Sequence, residues 1–378
     1  MMTITPTAPR RCSMLEWIMR YQRLLRNGLI LVVVALVAWM LIALPPTVIQ
    51  SGIRFSTVFI LGSLAALLAS RAGVLNLAIE GKMLLGAFIG VVVLYRPDLP
   101  PDAVGVNPLW GVLAAALAGG FLGFVFAVLY LQIRVNLIIL ALALNLFVAN
   151  ATVFFMRTAF GVFGTLADPS ITGLPTIEIA FIKDIPVLGT LFSGYNIITY
   201  LSWVAVAVIS FILYYTKFGR HIRAVGENKE AAESVGINVT RVQIFAMTLS
   251  GMLAGVAGAF LSLGVLSQFL ENMSAGRGWI ALTVAIFAMN RPVPALLTSL
   301  FFGMSESIGL FVERQEAINL PSNLVQMFPQ IATLGALVLV AMRIRWSEIL
   351  RRRTFVRDFS AQLDDLKQKV ISKPAAGD

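Results

Sequence analysis

The sequence predicts an all-α, polytopic membrane protein of about ten transmembrane helices, with N and C termini both cytoplasmic. Three observations lead there. Of 378 residues, 58% are hydrophobic and only 13% charged, with a mean hydropathy of +0.86. A soluble domain of this length needs about 25% charged residues to cover its surface. The apolar residues gather in long continuous runs, and a helix crosses the hydrocarbon core with about 20 of them. The basic residues fall between alternate runs, as the positive-inside rule requires of cytoplasmic segments.

Taken in order, the predicted spans are Gly28–Leu44, Phe55–Ser70, Gly73–Leu94, Leu109–Leu131, Asn136–Met156, Asn196–Thr216, Val242–Leu263, Gly278–Asn290, Pro294–Val312 and Asn323–Met342. They are too long and continuous for barrel strands, and only helices or closed barrels satisfy their backbone in lipid. The first follows a basic region, residues 1–27, with Arg10, Arg11, Arg20, Arg23 and Arg26. That region is too long for a signal peptide, and Leu41-Ile-Ala-Leu-Pro-Pro46 offers no small-x-small cleavage site. The third span carries Glu80 and Lys82 in its middle, and the eighth is short.

Both termini inside means that 22 of the 29 Lys and Arg residues are cytoplasmic. Arg54, Lys82, Arg96, Arg157, Lys183, Arg277 and Arg314 remain for spans and outer loops. The net charge of +10 is therefore a topology signal and a footprint on membrane lipid, not a nucleic-acid stripe. Cys12 and His221 are the only cysteine and histidine, which excludes disulfides within the chain, thiolate clusters and His-based zinc sites. The outer loop Arg157–Tyr195, with Pro169, Pro175 and Pro186, is expected to lie along the outer surface. Residues 343–378 form a cytoplasmic tail, in which Phe355, Phe359, Leu363, Leu366 and Val370 mark a short amphipathic helix. Gly119-Gly-Phe-Leu-Gly123 and Gly251-Met-Leu-Ala-Gly255 place small residues one turn apart, a packing signal.

The loop Lys217–Arg241 contains Glu227-Asn-Lys-Glu-Ala-Ala-Glu-Ser-Val-Gly236. Asn228 is a good N-cap, Glu230 sits where the helix dipole favours an acid, and Gly236 can take the left-handed position after the last turn. A helix of two turns is marginal alone, which leaves a solvated turn or a docking element held by a partner.

Glu230-Ala231-Ala232-x-x-x-Gly236 resembles the coupling motif of ABC importer permeases, which docks into a cleft of the ATPase subunit. Ser70-Arg-Ala-Gly-Val-Leu-Asn-Leu-Ala-Ile-Glu-Gly-Lys-Met83, Gly226–Ile237 and Asn272-Met-Ser-Ala-Gly-Arg-Gly-Trp-Ile-Ala-Leu282 are similar to the branched-type permeases, nearest their nucleoside and simple-sugar group. The likeness runs from about Phe55 to Met342. One departure is Arg241-Val-Gln-Ile-Phe245 in place of the Ile-x-Leu-Pro ending of the best-known coupling pattern, which is usual for the branched type. The resemblance implies a permease domain over residues 28–342 in the cell inner membrane. It implies coupling through Glu227, Asn228, Glu230, Ala231, Ala232, Gly236 and Ile237. It also implies an ATPase subunit, an external solute-binding protein and a second permease subunit, either a different chain or a second copy.

Charged and amide groups at membrane depth are costly and tend to mark pathways. Asn76, Glu80, Lys82, Asn145, Asn150, Arg277 and Glu306 are accordingly the candidates for a translocation path, with Thr152 and Ser262 as further hydrogen-bonding groups. A structural ion pair is the competing reading. Arg71–Leu77 echoes Ala275–Leu282, matched at Gly73 and Gly278, and suggests an inverted repeat pairing spans 2–5 with 7–10. No Gly-x-x-x-x-Gly-Lys-Ser/Thr loop occurs, so no ATP site or other cofactor is expected in this chain; ATP is used by the partner ATPase. An ion-coupled secondary transporter using Glu80 or Glu306 leaves the Glu-Ala-Ala loop without a role. An intramembrane enzyme lacks a nucleophile–base pair. Mixed charge along the path suits a neutral nucleoside or simple sugar, and a zwitterionic branched-chain amino acid as well.

Overall fold

The computed structural model describes residues 45–97, 106–179, 188–314 and 335. The predicted spans 28–44 and 323–342, residues 1–27, the tail 343–378, Asp98 and Lys183 lie outside the described residues.

Among the described residues, six helices are long and apolar enough to cross a membrane: α1 (Pro46–Arg71), α3 (Pro108–Leu131), α4 (Leu137–Ala159), α6 (Ile197–Tyr215), α9 (Val239–Ala259, continued as a π-helical stretch, Phe260–Leu266) and α11 (Pro292–Glu313). Between them lie α2 (Ile79–Leu94), the short α5 (Leu188–Phe192), α7 (Lys217–Glu227), α8 (Lys229–Ser234) and α10 (Arg277–Phe287). Their starts follow local chemistry. Pro occupies the first turn of α1, α3 and α11, where its missing N–H costs nothing. Asn107, Asn136, Asn196 and Asn238 cap α3, α4, α6 and α9 by accepting backbone N–H groups that have no partner within the helix.

Successive helices alternate in direction, and two ends result. At one end lie residues 71–73, 131–136, 217–241 and 289–291, with Arg71, Arg134, Lys217, Arg220, Arg223, Lys229, Arg241 and Arg291 among them. At the other, β1 (Thr165–Leu166) pairs antiparallel with β4 (Phe269–Leu270), and β2 (Thr176–Ile177) with β3 (Tyr195–Asn196). The Arg157–Glu271 pair, at 3.8 Å, belongs to this second end.

α1 is the central helix, with 89% of its apolar window buried, whereas α4 is peripheral at 22%. α9 packs against α3 and α2 through small residues. A Cβ on Gly119 or Gly251 would overlap the other's backbone carbonyl, and one on Gly255 would overlap that of Ala115. Backbones this close gain dispersion contacts that larger side chains would prevent, the main attraction between helices in lipid.

The structure corrects the sequence reading in four places. The third span does not begin at Gly73: residues 72–78 are irregular, and α2 starts at Ile79. Glu80 and Lys82 thus occupy the first turn of a helix and not the middle of one. The second span starts nine residues earlier than Phe55, at Pro46, and takes Arg54 into α1. The loop after Lys217 is two helices, since α7 buries Gly219, Ile222 and Val225 against the bundle. Finally, the echo matched at Gly73 and Gly278 is out of register. Gly73 turns left-handed at φ 75° two residues after the end of α1, whereas Gly278 lies in the first turn of α10, so the two matched glycines hold different places in the fold.

Candidate functional site

The first candidate region is the helix pair α7–α8 at the basic end. Asn228 Oδ1 accepts the Ala231 N–H at 3.0 Å, capping α8 as its spacing predicts. Gly236 adopts φ 85°; its N–H bonds the Glu233 carbonyl at 2.9 Å and the Ile237 N–H bonds that of Ala232 at 3.0 Å. This double closure is the Schellman arrangement, and only Gly reaches the left-handed region at no steric cost. The helix is therefore fixed at both ends by local bonds. Ala232 is buried against the body of the protein and Ile237 half-buried. Glu227, Glu230, Ala231, Glu233 and Ser234 are exposed, and Val235 shows 74% of its surface.

The second region is where α2 and α10 begin. α1 and α9 run in opposite directions, each is followed by a non-helical stretch (72–78 and 267–276, the latter including β4), and each stretch ends in a shorter helix that reverses course. The N-termini of α2 and α10 meet. α10 has no cap of its own, because Gly276 has no side chain. Glu80 provides it from 196 residues away: its carboxylate accepts the Gly276 N–H at 2.8 Å and the Gly278 N–H at 2.7 Å. A Cβ on Gly278 would stand 2.7 Å from the Glu80 Cα, so the glycine permits the approach. An anion here answers both the free amides and the positive end of the helix dipole.

α2 is tied in the same manner. Asn145 Oδ1 accepts the Gly81 N–H at 2.8 Å while its Nδ2 donates to the Leu77 carbonyl at 3.1 Å. Lys82 is fully buried and points into the core, where its Nζ donates to Asn76 Oδ1 at 2.6 Å and lies 4.7 Å above the Phe126 ring. Asn76 Nδ2 donates to Ser250 Oγ at 2.8 Å, and that hydroxyl donates to the Ala65 carbonyl at 2.6 Å. Arg277 pairs with Glu306 at 2.6 Å and also donates to the Met273 carbonyl at 3.2 Å.

The structure thus joins six of the seven proposed path residues into three linked groups, Lys82–Asn76, Glu80–Asn145 through Gly81, and Arg277–Glu306. Asn150 stands apart, exposed on α4 and bonded back to its own Leu146 carbonyl at 2.8 Å. Thr152 and Ser262 likewise bond carbonyls of their own helices. Glu80 and Lys82 do not pair with each other. Asn76 and Lys82 are enclosed in packed protein, whereas Leu75, Asn272, Ala275 and Trp279 around the two breaks are exposed. Ser250, Gln243 and Phe126 were missed from sequence. A polar side chain inside an apolar run marks the first two; nothing local marks the third.

The sequence from residue 48 to 341 matches the family described as branched-chain amino acid transport system, permease component. The guanosine ABC transporter permease protein of Bacillus subtilis is 30% identical over 292 residues, 77% of this chain and 90% of that protein. The nucleoside ABC transporter permease protein of Lactococcus lactis is 30% identical over 294 residues, 77% of this chain and 91% of that one. A putative glucose ABC transporter permease protein of Haloferax volcanii is 34% identical over 266 residues, covering 69% and 76%. No solved structure matches.

Proposed function

The chain belongs to the family of permease components of branched-chain amino acid transport systems, and from that premise we propose that it is the membrane subunit of an ABC importer. It is a multi-pass membrane protein. In this reading it sits in the plasma membrane with ten spans and both termini cytoplasmic. Residues 1–27 and 343–378 flank the permease domain, residues 28–342, and the basic end faces the cytoplasm. ATP is hydrolysed by a separate ATPase subunit, a solute-binding protein delivers the substrate outside, and a second permease subunit, a different chain or a copy, completes the path. The chain holds no cofactor of its own.

One observation carries the coupling role. α8 is capped at both ends by local bonds, rests on one buried alanine and presents Glu230, Ala231, Glu233 and Val235 outward at the basic end. So short a helix gains little from its own length; a cleft in a partner would hold the rest of its surface. The opposed α1–α2 and α9–α10 pairs support an inverted repeat with a path at the joined breaks, since irregular backbone at membrane depth requires protein or a water-filled cavity around it. The path residues in this reading are those bordering the breaks, Glu80, Asn145 and Arg277 with Glu306, while Asn76 and Lys82 support them from behind.

The substrate is a nucleoside or simple sugar. The relatives named for guanosine, nucleosides and glucose support this. A branched-chain amino acid is the second reading, and the family's description favours it. Gly236→Val forces a β-branched residue to φ 85°, and Glu230→Lys opposes the helix dipole. Both should leave membrane insertion intact and cut uptake and ATPase stimulation. Uptake of labelled nucleoside, competed by guanosine, ribose and leucine, ranks the substrates. Normal transport in both variants would make α8 a mere connector, and competition by leucine alone would overturn the nucleoside assignment.

A further inference from the structure

A single ten-residue segment, Arg71 to Glu80, grips helix α10 at both ends. At the N-terminus Glu80 accepts the Gly276 and Gly278 N–H groups at 2.8 and 2.7 Å. At the C-terminus Arg71 Nε donates to the Asn290 carbonyl at 2.7 Å, and a second guanidinium nitrogen donates to that of Met289 at 3.3 Å. Met289 and Asn290 both turn left-handed, φ 52° and 51°, which ends the helix. The signs suit the dipole at each end: the carboxylate takes the free amides, and the guanidinium stands just past the C-terminus, bonded to carbonyls of the left-handed turn that follows the helix. α10 spans only 11 residues, about 16 Å, so one segment can reach both of its termini.

The same segment bears on the coupling pair, backbone to backbone at the end of α7 and through the Lys229 side chain at the start of α8. A Cβ on Gly226, at the end of α7, would overlap the Arg71 carbonyl. A Cβ on Gly73 would stand 3.4 Å from the Gly226 Cα and 3.4 Å from Cε of Lys229, the first residue of α8. Gln243, buried in the first turns of α9, donates to the Ala72 carbonyl at 2.9 Å. Between the two ends, Asn76 is anchored to Ser250 and Lys82. Backbone in contact with backbone transmits a displacement that flexible side chains would absorb.

We propose that Arg71–Glu80 is a strap that carries motion of the α7–α8 pair to α10, with Arg71 and Gln243 as positioning residues for coupling and α10 as the element that moves. This rests on the importer reading. The test uses the assembled transporter in nanodiscs, on a Cys12→Ser background, with spin labels at Ile286→Cys on α10 and Phe154→Cys on α4, both exposed positions. Distances are measured without nucleotide and with ATP and vanadate. The unsubstituted strap should show a nucleotide-dependent shift between the labels. Arg71→Gln and Gln243→Leu should abolish it and lower uptake about tenfold or more, each losing a bond that ties the strap, with basal ATP hydrolysis within about twofold. Arg71→Lys keeps the cation and should recover part of both the shift and the uptake, whereas Arg291→Gln, a nearby arginine outside the strap, should change neither. Retention of the shift in Arg71→Gln and Gln243→Leu, or transport by the unsubstituted protein without any shift, overturns the strap. Failure of the unsubstituted chain to engage an ATPase at all refutes the importer reading itself, and the strap with it.

Discussion

The buried lysine gives the sharpest test of how the helix break is held. Among the described residues Lys82 has no carboxylate partner; its ammonium has the Asn76 amide oxygen at 2.6 Å and the Phe126 ring at 4.7 Å. Three changes separate the contributions. Asn76→Leu strips the ammonium of its acceptor and leaves a buried charge supported only by the ring. Uncompensated buried charges cost about 3–5 kcal/mol, and a desolvated cation–π contact returns about 2. Lys82→Met removes the charge itself at similar volume. It forfeits a charge-assisted bond of about 1.5–3 kcal/mol and leaves the Asn76 oxygen unsatisfied, but relieves a desolvation penalty of several kcal/mol, so the net change should lie within about 1 kcal/mol of zero. The double variant leaves no charge and no amide, only the Ser250 hydroxyl, which still donates to the Ala65 carbonyl, and it should recover most of what Asn76→Leu loses, a coupling of about 2 kcal/mol or more. Thermal unfolding of the purified chain in detergent, followed by tryptophan fluorescence, reads all three. The predicted order of midpoints places Asn76→Leu lowest, with Lys82→Met and the double variant near the parent. Strictly additive losses, or a Lys82→Met variant as damaged as Asn76→Leu, would refute the reasoning.

Two further predictions concern topology and packing. In a Cys12→Ser background, an impermeant reagent applied from outside should label a cysteine replacing Glu271 and not one replacing Lys229; strong outside labelling at 229 reverses the assignment of the ends. Gly255→Val places side-chain atoms against the Ala115 backbone and forces α3 and α9 apart. It should lower thermal stability by about 1–3 kcal/mol while Ala143→Val, on the exposed face of α4, changes nothing measurable.

What the sequence made legible was whatever hydropathy or local capping encodes. The runs at 109–131, 136–156 and 196–216 end within about three residues of α3, α4 and α6, because Asn caps and the adjoining polar segments bound them. α8 was readable from Asn228 and Gly236 alone, since both of its ends are closed by bonds within a few residues. The break at 72–78 was hidden because Val74, Leu75, Leu77 and Ala78 are as apolar as a span, and hydropathy reports what a segment contacts, not its backbone angles. α7 was hidden for the opposite reason. Its charges read as a loop, although Phe218, Ile222 and Val225 recur at the spacing of one helical face. The partners of Glu80 and Arg71 lie 196 and 219 residues away, a separation at which no local pattern can pair them.

Those long-range partners change the meaning of the charges at membrane depth. Ionised groups in hydrocarbon tend to be paired, and here both Glu80 oxygens accept amide N–H groups, while Arg277 meets Glu306 Oε1 and a carbonyl, leaving Glu306 Oε2 buried without a partner. The fields of these groups are spent on helix ends and on each other. A carboxylate or guanidinium committed in this way is a weak counter-ion for a charged solute, because binding one would have to break bonds that hold α10 in place. Glu80→Gln separates the two roles. An amide can still accept through its oxygen but presents an NH₂ to the second backbone N–H, so α10 should lose one of its two anchoring bonds. If Glu80 served mainly to attract a cation, Gln would lower affinity for substrate and leave the helix undisturbed. If it serves as a cap, Gln should loosen α10 and reduce the rate of transport, with little change in the substrate concentration giving half-maximal uptake. The second outcome supports a neutral, hydroxyl-bearing solute recognised by groups other than the charges themselves; the first would return the path to an electrostatic design.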